Sequence, residues 1–339
     1  MDQIRLGRTN LKVSRSGLGA LPIQRISILE AGRLLRKAYD RGINFFDTAR
    51  AYTDSEEKIG AALADVRERI IIATKTGAED RKTFFEHLET SLRNLKTDYI
   101  DIYQLHNPKG LPDPEDPKGL YQALLEAKDK GMVRFIGVTN HRLDLAIAAA
   151  ESGLYDTVQY PLSLLSDDKD LGLIDLCQKK DVGIIAMKAL SGGLIDNGRV
   201  AFAFLRQYPN VLPIWGVQKE SELDEFLACE QEPPVLDDAM WAVINRFRAE
   251  LSGDFCRGCG YCLPCPAKIP IPTAARMAPF LKRAVYQSYL SEEWQKQMSL
   301  IENCIDCGHC RNHCPYELDT PKLLKKNLQV YREFVAKHS

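Results

Sequence analysis

Two kinds of apolar pattern alternate along the first two-thirds of the chain. Short, nearly unbroken apolar runs occur at SGLGAL (16–21), INFFDT (43–48), IIIAT (70–74), IDIYQLH (100–106), VRFIGVTN (133–140), TVQY (157–160), GIIAMKAL (183–190) and VLPIWGV (211–217). Between them lie segments with apolar residues at helical spacing, such as Ala31 to Arg41, Thr83 to Leu95, Leu120 to Lys130 and Leu143 to Glu151. Runs of this kind suit strands buried on both faces, and strands alternating with helices imply parallel crossovers. Eight such units predict an α/β fold, a (β/α)8 TIM barrel, with an open doubly wound sheet as second choice. The opening segment IRLGRTNLKVS has turn residues from Gly7 to Asn10 between two short extended runs, and predicts a hairpin that plugs the bottom of the barrel.

The pattern changes after Gln231–Pro234, where two adjacent prolines end the last barrel helix. Beyond them two amphipathic stretches, Asp237 to Leu251 and Leu323 to Val335, flank a cysteine-rich region. With 339 residues the chain exceeds the usual single-core size, and the division expected is a barrel over 1–234 and a small helical domain over 235–339. Composition is that of a soluble protein, 45% hydrophobic and 27% charged with a net charge of −1, so nothing calls for nucleic acid. No apolar run approaches a membrane span, and the opening MDQIRLGRTN lacks an export pattern, so the expected location is cytoplasmic. From Val235 on, 14 Lys and Arg face 11 Asp and Glu; this mild surplus would suit an acidic electron-transfer partner, although scattered surface charge is the commoner explanation.

Eight of the ten cysteines fall in two bursts, Cys256, Cys259, Cys262 and Cys265, then Cys304, Cys307, Cys310 and Cys314, each closed by a proline. Disulfides at this density belong to small secreted domains, and zinc sites take cysteines as separated pairs. Three cysteines at two-residue intervals instead cap three corners of an iron–sulfur cube, while the fourth must come from elsewhere. In two-cluster ferredoxins the cysteine before proline ligates the other cluster. The expected metal ligands are therefore Cys256, Cys259, Cys262 and Cys314 for one 4Fe–4S cluster, and Cys304, Cys307, Cys310 and Cys265 for the other. The first burst has two residues before its last cysteine where the ferredoxin run has three. His309 and His313, inside the second burst, are expected to tune or shield a cluster. Cys177 and Cys229 lie in helical runs and read as small core residues.

In a parallel barrel, polar residues at the C-terminal strand ends build the active site. Asp47 ends the second run, Tyr52 follows it, Lys75 ends the third and His106 the fourth. A tyrosine can donate a proton to a carbonyl only if its phenol is made more acidic than its reference pKa of ~10. Lys75 would supply the positive charge, Asp47 would hold Lys75, and His106 would orient the substrate oxygen. This is an acid site for reducing a C=O by hydride.

These residues resemble those of the aldo-keto reductases, whose FDTA-x-x-Y, T-K and L-H motifs match Asp47 to Tyr52, Lys75 and His106; the resemblance covers about residues 1–230. With the cysteine tail, the chain is similar to the branch of that family bearing a C-terminal ferredoxin-like domain. The resemblance implies NADP or NAD bound without a Gly-x-Gly-x-x-Gly fingerprint, through Thr139, Asn140, Gln159 and the Ser191, Gly192, Gly193 turn, whose amides suit a pyrophosphate. Met187 takes the place of the aromatic that stacks on nicotinamide. Gln218 and Lys219 stand where an arginine grips the 2′-phosphate, and Phe226 replaces the asparagine that meets adenine, so NADH and NADPH both remain open. The resemblance further implies a small-molecule carbonyl or alcohol substrate and a tail that acts as a lid. Two rivals accompany this reading: an electron-transfer or redox-sensing protein holding a nicotinamide, and a redox-neutral NAD-dependent lyase or epimerase. Nicotinamide delivers a pair of electrons and each cluster one, and no flavin signal is present to split the pair, so a structural role for the clusters stands beside electron exchange.

Overall fold

The computed structural model describes residues 1–251, 255–283 and 286–338. All eight expected strands form, as β3 (Gly17–Gly19), β4 (Phe45–Asp47), β5 (Ile71–Thr76), β6 (Ile100–His106), β7 (Val133–Thr139), β8 (Thr157–Pro161), β9 (Gly183–Met187) and β10 (Val211–Gly216). They pair in parallel in sequence order, and β10 closes on β3, so the sheet is a barrel and the open-sheet alternative is excluded. The strands are too apolar on both faces to leave either in water, and closure also removes the sheet edges.

The intervening helices are α1 (Ile28–Asp40), α2 (Ser55–Leu63), α3 (Arg81–Leu95), α4 (Leu120–Asp129), α5 (Leu143–Ser152), α6 (Asp168–Lys179), α7 (Gly198–Arg206) and α8 (Glu220–Gln231). Several start where a side chain satisfies the first free amides. Ser27 and Glu30 form a capping box on α1, Asp167 and Asp170 one on α6, and Asp80 caps α3 through Thr83 N–H.

The opening hairpin pairs β1 (Gln3–Arg5) with β2 (Lys12–Ser14), with Ile4 opposite Val13. Leu6, Leu11 and Val13 pack against Phe45, Ile71, Ile102 and Leu212 in one apolar cluster. Phe45 and Ile71 begin their strands, so the hairpin closes the N-terminal mouth and leaves the chemistry to the opposite end.

The chain divides into two compact units, residues 1–189 with 198–237, and residues 190–197 with 238–339. The second unit begins three residues after the expected boundary. It also takes in Leu190–Asn197, which the sequence pattern assigns to the barrel. It carries α9 (Asp238–Glu250), α10 (Ile271–Ala274), α11 (Met277–Arg283), α12 (Glu292–Ser299), α13 (His309–Asn312) and α14 (Thr320–His338). Its core is its own: Ile269, Ile271, Met277, Met298, Ile301, Leu324 and Tyr331 pack together, with Cys262 and Cys310 among them.

Candidate active site and cysteine-lined cavities

Register sets the barrel site. Asp47 pairs with Ala73 across β4 and β5, and Lys75, two residues on, points to the same side. Lys75 in turn pairs with Gln104, two residues before His106, and His106 pairs with Thr139, which pairs with Gln159. Strand alternation thus brings Asp47, Lys75, His106, Thr139 and Gln159 around one C-terminal mouth. Tyr52 reaches it from the β4–α2 loop.

The centre is a buried ion pair. Lys75 Nζ donates to both Asp47 carboxylate oxygens at 2.7 Å and to the Thr48 carbonyl at 2.5 Å, with Lys75 1% and Asp47 2% exposed. Burial pushes the Asp47 carboxyl up and the Lys75 ammonium down, and their mutual attraction opposes both shifts. Gln159 also donates to Asp47 and accepts from Gln104 Nε2 at 2.8 Å, so a polar chain runs across the mouth.

Tyr52 departs from the sequence expectation. Lys75 Nζ lies 5.3 Å from the Tyr52 ring centroid, and its hydrogen-bond donors are directed at Asp47 and Thr48. Burial first, and the Asp47 charge second, raise the phenol above its ordinary value rather than acidifying it. An ammonium already neutralised by a carboxylate has little field left to lower a neighbouring phenol. Tyr52 therefore keeps its proton throughout the neutral range. His106 stands edge-on to Tyr52, with ring centroids 5.9 Å apart, and burial followed by the Lys75 charge pulls its pKa to about 3. It is a neutral imidazole, able to donate one hydrogen bond without carrying charge.

The tyrosine loop rests on residues that sequence reasoning passed over. Glu56 is buried, pairs with Arg50, and accepts from Thr74 Oγ1 at 2.8 Å and Ser91 Oγ at 2.7 Å. Thr48 Oγ1 donates to Ser55 Oγ at 2.9 Å, which donates to the Ala20 carbonyl at 3.0 Å. A glutamate inside a helix that starts six residues after FDTA carries no sequence signal that distinguishes it from a solvated one.

Among the expected cofactor contacts, Asn140 accepts from Arg142 N–H at 2.8 Å and donates to the Pro108 carbonyl at 2.9 Å, which fixes its amide. Thr139 Oγ1 lies 3.7 Å from Met187 Sδ at the strand ends. A nicotinamide carboxamide presents one acceptor and two donors, and the second hydrogen of the Asn140 amide and the lone pairs of Thr139 match that set. Gly193 N–H closes a turn on the Leu190 carbonyl at 2.9 Å, so that amide serves the loop itself. Glu222 accepts from the backbone N–H groups of Gln218 and Lys219 at 2.9 and 3.2 Å. Phe226 is a core residue stacked 4.4 Å from Trp215, which accounts for the missing asparagine.

In the second unit the cysteines line two cavities. One is lined by Cys265 with Cys304, Cys307 and Cys310; the other by Cys256, Cys259 and Cys262 with Cys314. Cys262 borders the first cavity and Cys310 the second as well. Burial, then Cys256 and Cys259, push the Cys262 thiol up to about 12, while burial raises Cys310, with Cys304 and Cys265 adding to it. Gly258 N–H donates to Cys256 Sγ at 3.3 Å. His309 borders the Cys265 cavity, and its Nε2 is buried with no hydrogen-bond partner among the described residues. Among those residues no three ligands converge on a single-ion site. A cube spreads its thiolates over separate irons, and the two cysteine-rich linings, which share Cys262 and Cys310, with an orphaned imidazole nitrogen beside one, fit such a group.

Comparison with known proteins places both units. Residues 16–201 match the model of the aldo/keto reductase family, and residues 255–319 match that of a 4Fe–4S dicluster domain. An aldo-keto reductase of Bacillus subtilis, YhdN, is 29% identical over 218 residues, 58% of this chain and 64% of its own. L-galactose dehydrogenase of Arabidopsis thaliana is 32% identical over 209 residues, 56% of this chain and 66% of its own, so the chain spans just under two-thirds of these curated relatives. Among solved structures, an aldo-keto reductase from Pseudomonas aeruginosa superposes with a TM-score of 0.59 at 28% identity, over 67% of this chain and 92% of that one. One from Klebsiella pneumoniae, in complex with NADPH, shares the fold at 23% identity and a TM-score of 0.63, over 73% of this chain and 95% of that one. With its family motifs gathered at one barrel mouth and more than half its length matched, the chain belongs to the aldo/keto reductase family and carries a 4Fe–4S dicluster domain as its C-terminal part.

Proposed function

We propose that the protein is an NAD(P)-dependent oxidoreductase that reduces a small-molecule carbonyl to an alcohol, or runs the reverse reaction, with two 4Fe–4S clusters in its C-terminal unit. The observation that carries the reading is the neutralised Lys75–Asp47 pair beneath a protonated Tyr52 and a neutral His106. NADPH or NADH, when bound, supplies the hydride. Thr139, Asn140, Gln159 and Met187 would hold the nicotinamide end, the Ser191–Gly193 turn the pyrophosphate, and Gln218 and Lys219 the adenosine end.

Tyr52 and His106 point at one substrate oxygen. His106, uncharged, donates a hydrogen bond that orients it, and Tyr52 gives up a proton as negative charge builds there. An alkoxide is a far stronger base than a phenolate, so the transfer is favourable even from a phenol whose pKa is raised. Lys75 lies 5.3 Å from the ring centroid and supports the tyrosine by position, held by Asp47, which Gln159 in turn contacts. Arg50 and Glu56 keep the Tyr52 loop in register.

For the cysteines we propose the crossed assignment, Cys256, Cys259, Cys262 and Cys314 on one cluster and Cys304, Cys307, Cys310 and Cys265 on the other. The division of the two cavities supports it. Anaerobically purified protein, mixed with NADPH or NADH and a panel of carbonyls while nicotinamide and cluster absorbance are recorded together, tests the reading. Nucleotide oxidation that matches alcohol formed is the expected result. Product without net nucleotide change would replace it with a redox-neutral reaction, and nucleotide binding without turnover with a sensor or electron-transfer protein.

A further inference from the structure

Arg276, in the turn between α10 and α11, reaches two loops of the second unit that the sequence keeps far apart. Its Nε donates to the Pro272 carbonyl at 2.7 Å and its Nη1 to the Gly192 carbonyl at 2.9 Å, and its guanidinium carbon lies 4.8 Å from the Phe280 ring centroid. Against the same guanidinium lies Gly258, inside the Cys256-Arg257-Gly258-Cys259 turn. A Cβ added at Gly258 would stand 2.7 Å from the guanidinium carbon and 2.9 Å from both terminal nitrogens, and one added at Gly192 would stand 2.7 Å from Nη1. Both glycines also hold positive φ, +64° and +67°, where other residues are strained. One cation is thus pressed between the backbone of the first cysteine burst and the backbone of the Leu190–Asn197 loop, and all three segments belong to the same compact unit.

We propose that Arg276 is a positioning residue that links nucleotide binding at the Ser191–Gly193 turn to the oxidation state of the cluster held by Cys256, Cys259, Cys262 and Cys314. The inference rests on the proposed roles of that turn and those cysteines. Reduction adds one electron, and so one negative charge, to a cluster already ligated by four thiolates. A pyrophosphate on the neighbouring turn is a second anion drawing on the same guanidinium. Each anion weakens the hold of the other, so bound nucleotide makes the cluster harder to reduce. By linkage, reduction of the cluster loosens the nucleotide by the same factor.

The test uses the anaerobic holoprotein and ADP-ribose or its 2′-phosphate, which carry the pyrophosphate but no reducible ring. Cluster potentials are measured by dithionite titration followed by electron paramagnetic resonance, with and without saturating probe. The expected effect is about tenfold weaker probe binding to the reduced protein, which for a one-electron couple is a downward shift of about 59 mV in one cluster's potential. In Arg276→Met, with both cluster signals retained, the shift should vanish while the probe still binds the oxidised protein. Gly258→Ala, which displaces the guanidinium, should shrink it. A wild-type potential that does not move with saturating probe overturns the linkage without any variant, and a shift that persists in Arg276→Met overturns the role of the arginine. Gly193→Asp tests the underlying reading separately, because it adds a carboxylate where a Cβ meets no atom within 4 Å, with Gly193→Ala, which shares the strain of φ +90° but adds no charge, as the reference. If it leaves probe affinity unchanged, the turn does not hold the pyrophosphate and the linkage falls with it; if it weakens binding but the wild-type potential is fixed, only the linkage falls.

Discussion

Removing both charges of the Lys75–Asp47 pair should destabilise the barrel by less than the two single removals added together. The side chains of Lys75 and Asp47 are 1% and 4% exposed, and the ammonium donates to both carboxylate oxygens and to Thr48. Lys75→Met leaves a buried carboxylate with the Gln159 amide, and Asp47→Asn leaves a buried ammonium with the Thr48 carbonyl and a neutral amide. Either orphaned charge is expected to cost about 3–5 kcal/mol. For a barrel of this size, that corresponds to a fall of roughly 6–20 °C in Tm. The double variant buries no charge, so its loss should be smaller than the sum of the two by about 2–3 kcal/mol. The Lys75→Met deficit should also narrow as pH falls. Burial holds the Asp47 carboxyl above its ordinary value, and protonating it removes the buried charge, so the folded variant binds a proton that the unfolded chain does not. Urea titrations followed by circular dichroism at several pH values measure all of this. Single-variant losses below about 1 kcal/mol, or a strictly additive double variant, would refute the buried, coupled pair.

His106, with its pKa near 3, should contribute no acid limb to the pH profile of carbonyl reduction between pH 5 and 8, and a limb near its ordinary value of 6.5 would show that it works as an imidazolium. The same shift makes stability fall with acidification from about pH 6.5 to about 3, because the unfolded chain takes up a proton there that the folded one refuses; His106→Gln should lose that slope. Cys314→Ala should damage the cluster of the opposite burst, with iron content falling towards half, and two intact clusters by iron analysis and paramagnetic resonance would end the crossed scheme. His309→Leu should lower the potential of the cluster beside it, since its buried Nε2, which borders that cavity, would donate to a sulfur of the bound cluster and stabilise the reduced form, and His309→Gln should restore part of the loss.

The barrel was legible because eight apolar runs at regular spacing admit few closures, and each run lies on an observed strand. The hairpin plug was legible for a related reason: Leu6, Leu11 and Val13 need a core, and the open mouth of a barrel offers one. Asp47, Lys75 and His106 were readable as polar residues at the ends of apolar strands. What the sequence concealed depends on pairing across space. The acidified tyrosine did not materialise because Asp47 consumes the charge of Lys75, a balance set by distances of 2.7 Å that no spacing encodes. Glu56 looked like any helix acid until Arg50, Thr74 and Ser91 surrounded it. The loop at Leu190–Asn197 continues a strand in sequence, yet packs with the cysteine-bearing unit through Arg276, more than 80 residues away.

The most direct test of the account is the proton carried by Tyr52. Tyr52→Phe removes one oxygen and leaves the Lys75–Asp47 pair, His106 and the strand-end amides in place. Stopped-flow single turnover with enzyme-bound NADPH and a carbonyl accepted by the wild type should show nucleotide affinity within about twofold and a hydride-transfer rate lower by about 10²–10⁴, the usual worth of a positioned general acid. Undiminished hydride transfer in Tyr52→Phe would contradict the acid role of this residue, and with it the assignment of the barrel mouth as a carbonyl-reducing site.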